Sequence, residues 1–75
     1  DITEETVRVN IHISLFLKYL ESNDPVGKRL GFLAQEIYRE VNTIGSKSPL
    51  PDITSKIVEI KNELEKIKEQ LQNIL

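Results

Sequence analysis

Cysteine, methionine and tryptophan are all missing from this sequence. Without cysteine no disulfide can staple a small fold and no thiolate chemistry is open to it. The single histidine leaves no structural zinc site of the usual nitrogen-and-sulfur type. Without methionine the chain does not begin at a native initiator, so a fragment cut from a longer protein is expected. No apolar run approaches the roughly 18 residues that cross a bilayer, and there is no signal-peptide pattern, so a soluble cytoplasmic protein is the expectation. Neither sign of charge dominates. Ten basic and twelve acidic residues give a net charge of −2. Bulk attraction therefore predicts no polyanion partner, and any contact with nucleic acid has to be local.

What is present fits one small domain spanning 1–75. A chain this short buries only about 60% of its unfolded surface, so its stability margin is thin. Two breaks divide it into three segments. At Ser22-Asn23-Asp24-Pro25, Asp24 is placed to cap a helix whose first residue is Pro25. Between Gly45 and Pro51, Gly45 is placed to end that helix and Asp52 to cap the next.

The third segment is the most regular. Ile53, Ile57, Ile60, Leu64, Ile67, Leu71 and Ile74 alternate spacings of four and three among lysines and glutamates, which predicts a helix over about 52–74 with one apolar seam. Its charged exterior reads as a solvated face. The second segment repeats the rhythm with Val26, Leu30, Leu33, Ile37, Val41 and Ile44, a helix over about 25–45 weakened by Gly27 and Gly31, at about 1 kcal/mol each. The first segment is ambiguous. Val7, Val9, Ile11 and Ile13 alternate as in a strand, whereas Ile2, Val9, Ile13, Phe16 and Leu20 form a helical stripe. Nothing else in the chain could pair with a strand, so a helix over about 2–22 is predicted, opened by an Asp1–Glu4 capping pattern. The fold class is all-α: three amphipathic helices in a small bundle or helical hairpin.

On a first helix, Asp1, Glu5, Arg8 and His12 share one polar line. Beyond it Val7, Ile11 and Leu15 form a second apolar stripe that three short helices can hardly cover, which points to oligomerisation or to missing parts of the chain. On the second helix Glu36 and Glu40 are one turn apart, with Arg29 and Thr43 on the same line. Gly31, Gln35, Tyr38 and Asn42 make another row, with Arg39 at its edge. If these two helices pack antiparallel, the Glu5/His12 line and the Glu36/Glu40 line meet in a groove. Carboxylates with an imidazole suit Mg²⁺ or Mn²⁺, which can activate water and neutralise a phosphodiester. Arg39, Lys47 and the backbone near Ser46 would then contact phosphate. The plainer reading makes Glu36 and Glu40 a solvated helix face, His12 a boundary residue and Ser46-Lys47-Ser48 an ordinary polar loop.

The ordered series Asp1-Ile2-Thr3-Glu4-Glu5, Arg8, His12, then Pro25 through Leu30, Phe32-Leu33, Gln35-Glu36, Arg39-Glu40 and Asn42 through Ser48 resembles the C-terminal domain of the YicC/YloC family of bacterial proteins. The closing Glu59-Ile60-Lys61, Glu65 and Glu69 through Ile74 is similar too, so the likeness spans the whole chain. It implies a metal-dependent endoribonuclease working as a ring-like homo-oligomer, with RNA as substrate and a separate N-terminal domain ahead of this one. The matching site residues are Glu5, Arg8, His12, Glu36, Arg39, Glu40, Asn42, Lys47 and Ser48. Within that set Glu5, His12, Glu36 and Glu40 are expected to be catalytic, with Glu36, Glu40 and His12 as metal ligands. Arg8, Arg39, Asn42, Lys47 and Ser48 are expected to hold RNA. Two departures stand on one helical row: Gly31 where the family usually has aspartate, and Tyr38 where it usually has asparagine. If that row is the active surface, a weakened copy is expected. The other expectations are a helical oligomerisation module without catalysis, or an RNA-binding module that no longer cleaves. The fragment alone is expected to be inactive.

Overall fold

A computed structural model describes residues 1–74, with side chains described as far as Asn73. The side chain of Ile74, which the heptad pattern puts in the seam, lies outside the described residues. Three helices account for nearly all of the chain: α1 over Thr3–Leu20, α2 over Gly27–Lys47 and α3 over Pro51–Ile74. The β-branched run of α1 is helical, so the 3.6-residue stripe prevails over the alternating one. A helix satisfies its own backbone groups, whereas a strand here would have had no neighbour to pair with.

The helix ends differ from expectation in their chemistry. Asp1 does cap locally, its Oδ1 accepting from the Thr3 N–H at 3.0 Å and the Thr3 hydroxyl at 2.7 Å. Glu4 does not complete a capping box; it reaches forward to Arg8, 3.5 Å away. Asp24 and Pro25 do not open α2. Asp24 N–H donates to Ser22 Oγ at 3.0 Å within the connection, and α2 begins after Val26 without a side-chain cap. Pro51 rather than Asp52 opens α3, where its missing N–H costs nothing, and Asp52 sits in the positively polarised first turn.

Gly45 does not end α2 either, since the helix runs two residues further and no described glycine has positive φ. Its role is spatial. A Cβ at Gly45 would meet Ile57 Cγ2 at 2.8 Å, so the missing side chain lets α3 cross close to the end of α2. Ser46 and Lys47 consequently belong to a helix and not to a polar loop, and Ser46 Oγ donates back to Thr43 O at 3.0 Å.

The helices form an open layer with α2 in the middle, 41 × 22 × 14 Å overall. α2 packs on both neighbours, but no Cα of α1 comes within 8 Å of one in α3 among the described residues. The buried core reflects this: Leu30, Leu33, Ala34, Ile37 and Val41 all lie on α2, joined by Leu64 of α3. Val9, Phe16, Ile57 and Ile67 pack against it from the two sides.

One consequence departs from the pattern read in the sequence. The main stripe of α1 is covered only in part, because Ile13 and Leu20 face the gap between α1 and α3 together with Ile60. That gap is an apolar groove of about 550 Å³, floored by Ile37 and Leu64 and edged by Glu59 and Glu63. The second stripe is open as well, with Val7 and Ile11 51% and 57% exposed.

Candidate functional site

The polar line of α1 faces α2, as antiparallel packing requires, and meets it in two ion pairs. Glu5 sits in the first turn of α1, and its side chain is 6% exposed against Lys47 of α2, whose Nζ donates to Glu5 Oε1. The same ammonium also donates to the Asp1 carbonyl at 3.3 Å. One turn further along α1, Arg8 Nε lies 3.1 Å from Glu40 Oε1, and Glu40 is 11% exposed at its side chain. Both carboxylates are thus nearly dry and both cations are about half in solvent, at 46% and 44% side-chain exposure for Arg8 and Lys47.

The electrostatics follow from that placement. The hydrogen bond from Lys47 holds the Glu5 carboxyl below its ordinary range; Glu5's own backbone N–H and the charges of Lys47 and Arg8 assist, and burial opposes. The hydrogen bond to Glu40 pushes the Arg8 guanidinium further up, against the effect of burial. Two buried atoms on this line have no hydrogen-bond partner among the described residues: Glu5 Oε2 and His12 Nδ1. Buried polar groups are nearly always paired, so each is a position where a further donor or acceptor would be accommodated.

The remaining expected residues are spread around α2. Glu36 follows Glu40 one turn back along α2 and is half-buried, on the side of α2 that faces α1. Arg39 is exposed on the outer side of α2 with Gln35 and Ser46, about 100° around the helix from Glu40. Ser48 ends the helix, its N–H donating to Ile44 O at 3.2 Å. Asn42 turns the other way, towards α3, where its Oδ1 accepts from Lys61 Nζ at 2.8 Å. Tyr38 does the same, its ring lying 5.3 Å from Lys61 Nζ and 5.7 Å from Lys68 Nζ. The row of Tyr38 and Asn42 is therefore an α2–α3 contact, separate from the surface that carries Arg8 and Glu40. A tyrosine at position 38 gives the two lysines of α3 a π face, an attraction of about 0.5–1 kcal/mol each at exposed sites. Nothing stands within 4 Å of a Cβ at Gly31.

Glu36, Glu40 and His12 do not come together, and no three His, Asp or Glu side chains among the described residues are placed to hold an ion. Glu40 and Glu5 are each engaged with a cation of this chain. The residues of a single chain do not fit a resident metal. What the site does offer is a pair of cations fixed by buried carboxylates, with an imidazole one turn beyond Arg8. The sequence pattern singles out Glu5, Arg8, His12, Glu40 and Lys47, but it assigns Glu40 to a metal with Glu36 and His12, because the register that sets Arg8 against Glu40 is not written in either helix alone.

Such a layer, with ion pairs along one helix pair and an apolar groove between α1 and α3, defines a small all-α domain. A family model described as "Endoribonuclease YicC-like, C-terminal" matches residues 1–75. The chain belongs to this family of YicC-like endoribonuclease C-terminal domains. A protein of Clostridioides difficile (strain 630) named "Probable endoribonuclease YicC" is 52% identical over 73 residues, covering 97% of this chain and 25% of that protein. One of the same name from Haemophilus influenzae is 40% identical over 74 residues, 99% of this chain and 26% of its own length. The chain thus spans about a quarter of the length of the curated relatives it matches. No solved structure matches it. Among the described residues no helix is long and apolar enough to cross a membrane.

Proposed function

We propose that this domain is the part of a YicC-like endoribonuclease that holds the RNA phosphodiester for cleavage, in the cytoplasm and within a homo-oligomer. The observation carrying the reading is that Arg8 and Lys47 are each anchored by a buried carboxylate yet remain half in solvent. A guanidinium bonded through Nε to Glu40 keeps Nη donors for phosphate oxygens, and an ammonium held by Glu5 keeps its third N–H. Glu5 and Glu40 are then positioning residues: they fix where positive charge stands before the substrate arrives, which is the form electrostatic catalysis takes. His12, on the same line, is the group suited to moving a proton at neutral pH. Arg39 and Ser48 extend the phosphate contacts along α2, whereas Asn42 supports them only through α3.

The resemblance brings a divalent cation with it. The donors of one chain do not fit it, and a site completed by Glu36 or His12 would need donors from another subunit or from the rest of the protein. The apolar groove and the Val7/Ile11 stripe support that assembly, since each is a surface water covers poorly. A pure assembly module is the second reading, favoured by the groove alone.

The test is RNA cleavage by the full-length protein, with and without Mg²⁺ or Mn²⁺, alongside Arg8→Ala, His12→Ala, Glu36→Ala and Glu40→Ala variants whose folding is checked by circular dichroism. Loss of cleavage in the Arg8 and His12 variants supports the reading. Wild-type cleavage in all four would leave only the assembly role.

A further inference from the structure

The seam that carries Glu5, Arg8 and His12 continues along α1 beyond the ion pairs. Near its far end it opens into a shallow recess of about 370 Å³, lined by Leu15 and Tyr19 of α1 and by Lys28, Arg29, Phe32 and Leu33 of α2. Three features set this recess apart. The Arg29 guanidinium lies over the Tyr19 ring, 5.5 Å from its centroid. Phe32 is 62% exposed, the highest value among the exposed large hydrophobic residues of the described chain. No residue lining the recess is acidic, and the first turn of α2, whose backbone dipole is positive at that end, holds no acidic residue either.

The opposite face offers a contrast. The groove between α1 and α3 is apolar with Glu59 and Glu63 at its edge, which repels a polyanion. The recess is the reverse, a flat hydrophobic ring beside two cations. A planar apolar body joined to an anion is what it fits, and a nucleotide is that combination.

We propose that the recess is a base-stacking subsite for single-stranded RNA, in which Phe32 and the Arg29–Tyr19 pair receive a nucleobase and Lys28 contacts its phosphate. The proposal rests on the reading that this domain handles RNA, and it adds a preference to it. Stacking on aromatic side chains requires a base that is free to leave its neighbours, so the subsite selects unpaired strand over duplex. Its place is consistent with one continuous path. Glu5 and Tyr19 are fourteen residues apart on one helix, about 21 Å at 1.5 Å per residue, so several nucleotides would lie between the phosphate clamp and the stacked base.

The experiment uses the full-length protein and a single-stranded oligonucleotide carrying 2-aminopurine, whose fluorescence falls when the base stacks. The wild type should bind and quench it. Phe32→Ala should weaken binding about 10-fold, the scale of one lost stack, and abolish the quench, with Phe32→Trp restoring both. Lys28→Ala should lower the slope of log affinity against log salt by about 1. A blunt-ended duplex should bind equally to wild type and Phe32→Ala. Wild-type affinity and quenching in Phe32→Ala would overturn the subsite while leaving RNA handling in place, and no RNA binding by the wild type would overturn both. A change in oligomer size with unchanged RNA affinity would make the recess a protein contact and overturn the subsite likewise.

Discussion

Arg8 Nε stands 3.1 Å from Glu40 Oε1, so a cation of α1 occupies the carboxylate of α2 that the residue pattern assigns to a metal. The pair ties the register of the two helices to where charge stands. Sliding α1 along α2 by one turn would separate Arg8 from Glu40 and Glu5 from Lys47 together, and leave two buried carboxylates without partners.

The first prediction concerns that pair. Arg8→Ala in the full-length protein should weaken RNA binding uniformly across sequences and reduce the salt slope by about 1, as loss of one phosphate contact does. Glu40→Gln should produce a loss of similar size although it removes no positive charge, because it frees the guanidinium. The two effects should fall well short of adding in the double variant, measured by fluorescence anisotropy.

Acid should loosen the domain through Glu5. Its carboxyl is held low by Lys47, so the native state binds fewer protons than the unfolded chain as pH falls into the carboxylate range. The stabilisation is complete above the ordinary carboxylate pKa, and is lost as pH falls through the depressed value. Thermal melts between pH 7 and 3 should show a fall that is shallower in Glu5→Gln.

Gly45→Ala improves helix propensity by about 1 kcal/mol, yet its new methyl group would meet Ile57 Cγ2 at 2.8 Å. Overpacking of this kind costs about 1–3 kcal/mol, so a net loss is expected. Urea titration checks it, and the penalty should shrink in an Ile57→Ala background. Equal penalties in the two backgrounds would remove the close-approach explanation.

Among the described residues Leu64 is the one buried core residue outside α2. Leu64→Ala should cost about 2–5 kcal/mol, a large share of what a domain this small has to lose. The same titration reads it.

The groove gives a further test. Leu17 and Ile60 are 55% and 43% exposed in it, so Leu17→Glu and Ile60→Glu should leave helicity unchanged. Light scattering on the full-length protein should show a smaller assembly for each, if the groove is where subunits meet.

How far the sequence could be read differs from helix to helix. The core of α2 follows directly from Leu30, Leu33, Ile37 and Val41, because a stripe packed on both sides is buried wherever its partners stand. Helix α3 shows the limit. Its seam is the most regular in the chain, yet Ile53 and Ile60 are left exposed, since α1 never closes on it. Local chemistry also misled at Gly45, where a glycine suited to a cap serves a crossing instead; spacing cannot distinguish the two, and only the position of Ile57 does. For the polar line between α1 and α2, the charged residues were legible and their pairing was not. Glu5, Arg8, His12 and Glu40 stand out as polar groups beside an apolar stripe, but whether Glu40 takes an arginine or an ion depends on a contact between helices more than thirty positions apart. Arg29 reads in the sequence only as one more polar group on the Glu36/Glu40 line, and the recess that it and Phe32 share with Tyr19 exists only through the packing of α1 on α2.

Because α1 and α3 each pack on α2 while no Cα of one comes within 8 Å of the other among the described residues, the two outer rods are hinged chiefly to a common spine. Each can peel away while its counterpart stays seated, so hydrogen exchange should resolve two separate openings in place of one collective melt. Whatever settles between them would act as a wedge or a clasp, setting the splay of the layer and, through α1, the angle at which the two anchored cations meet a substrate.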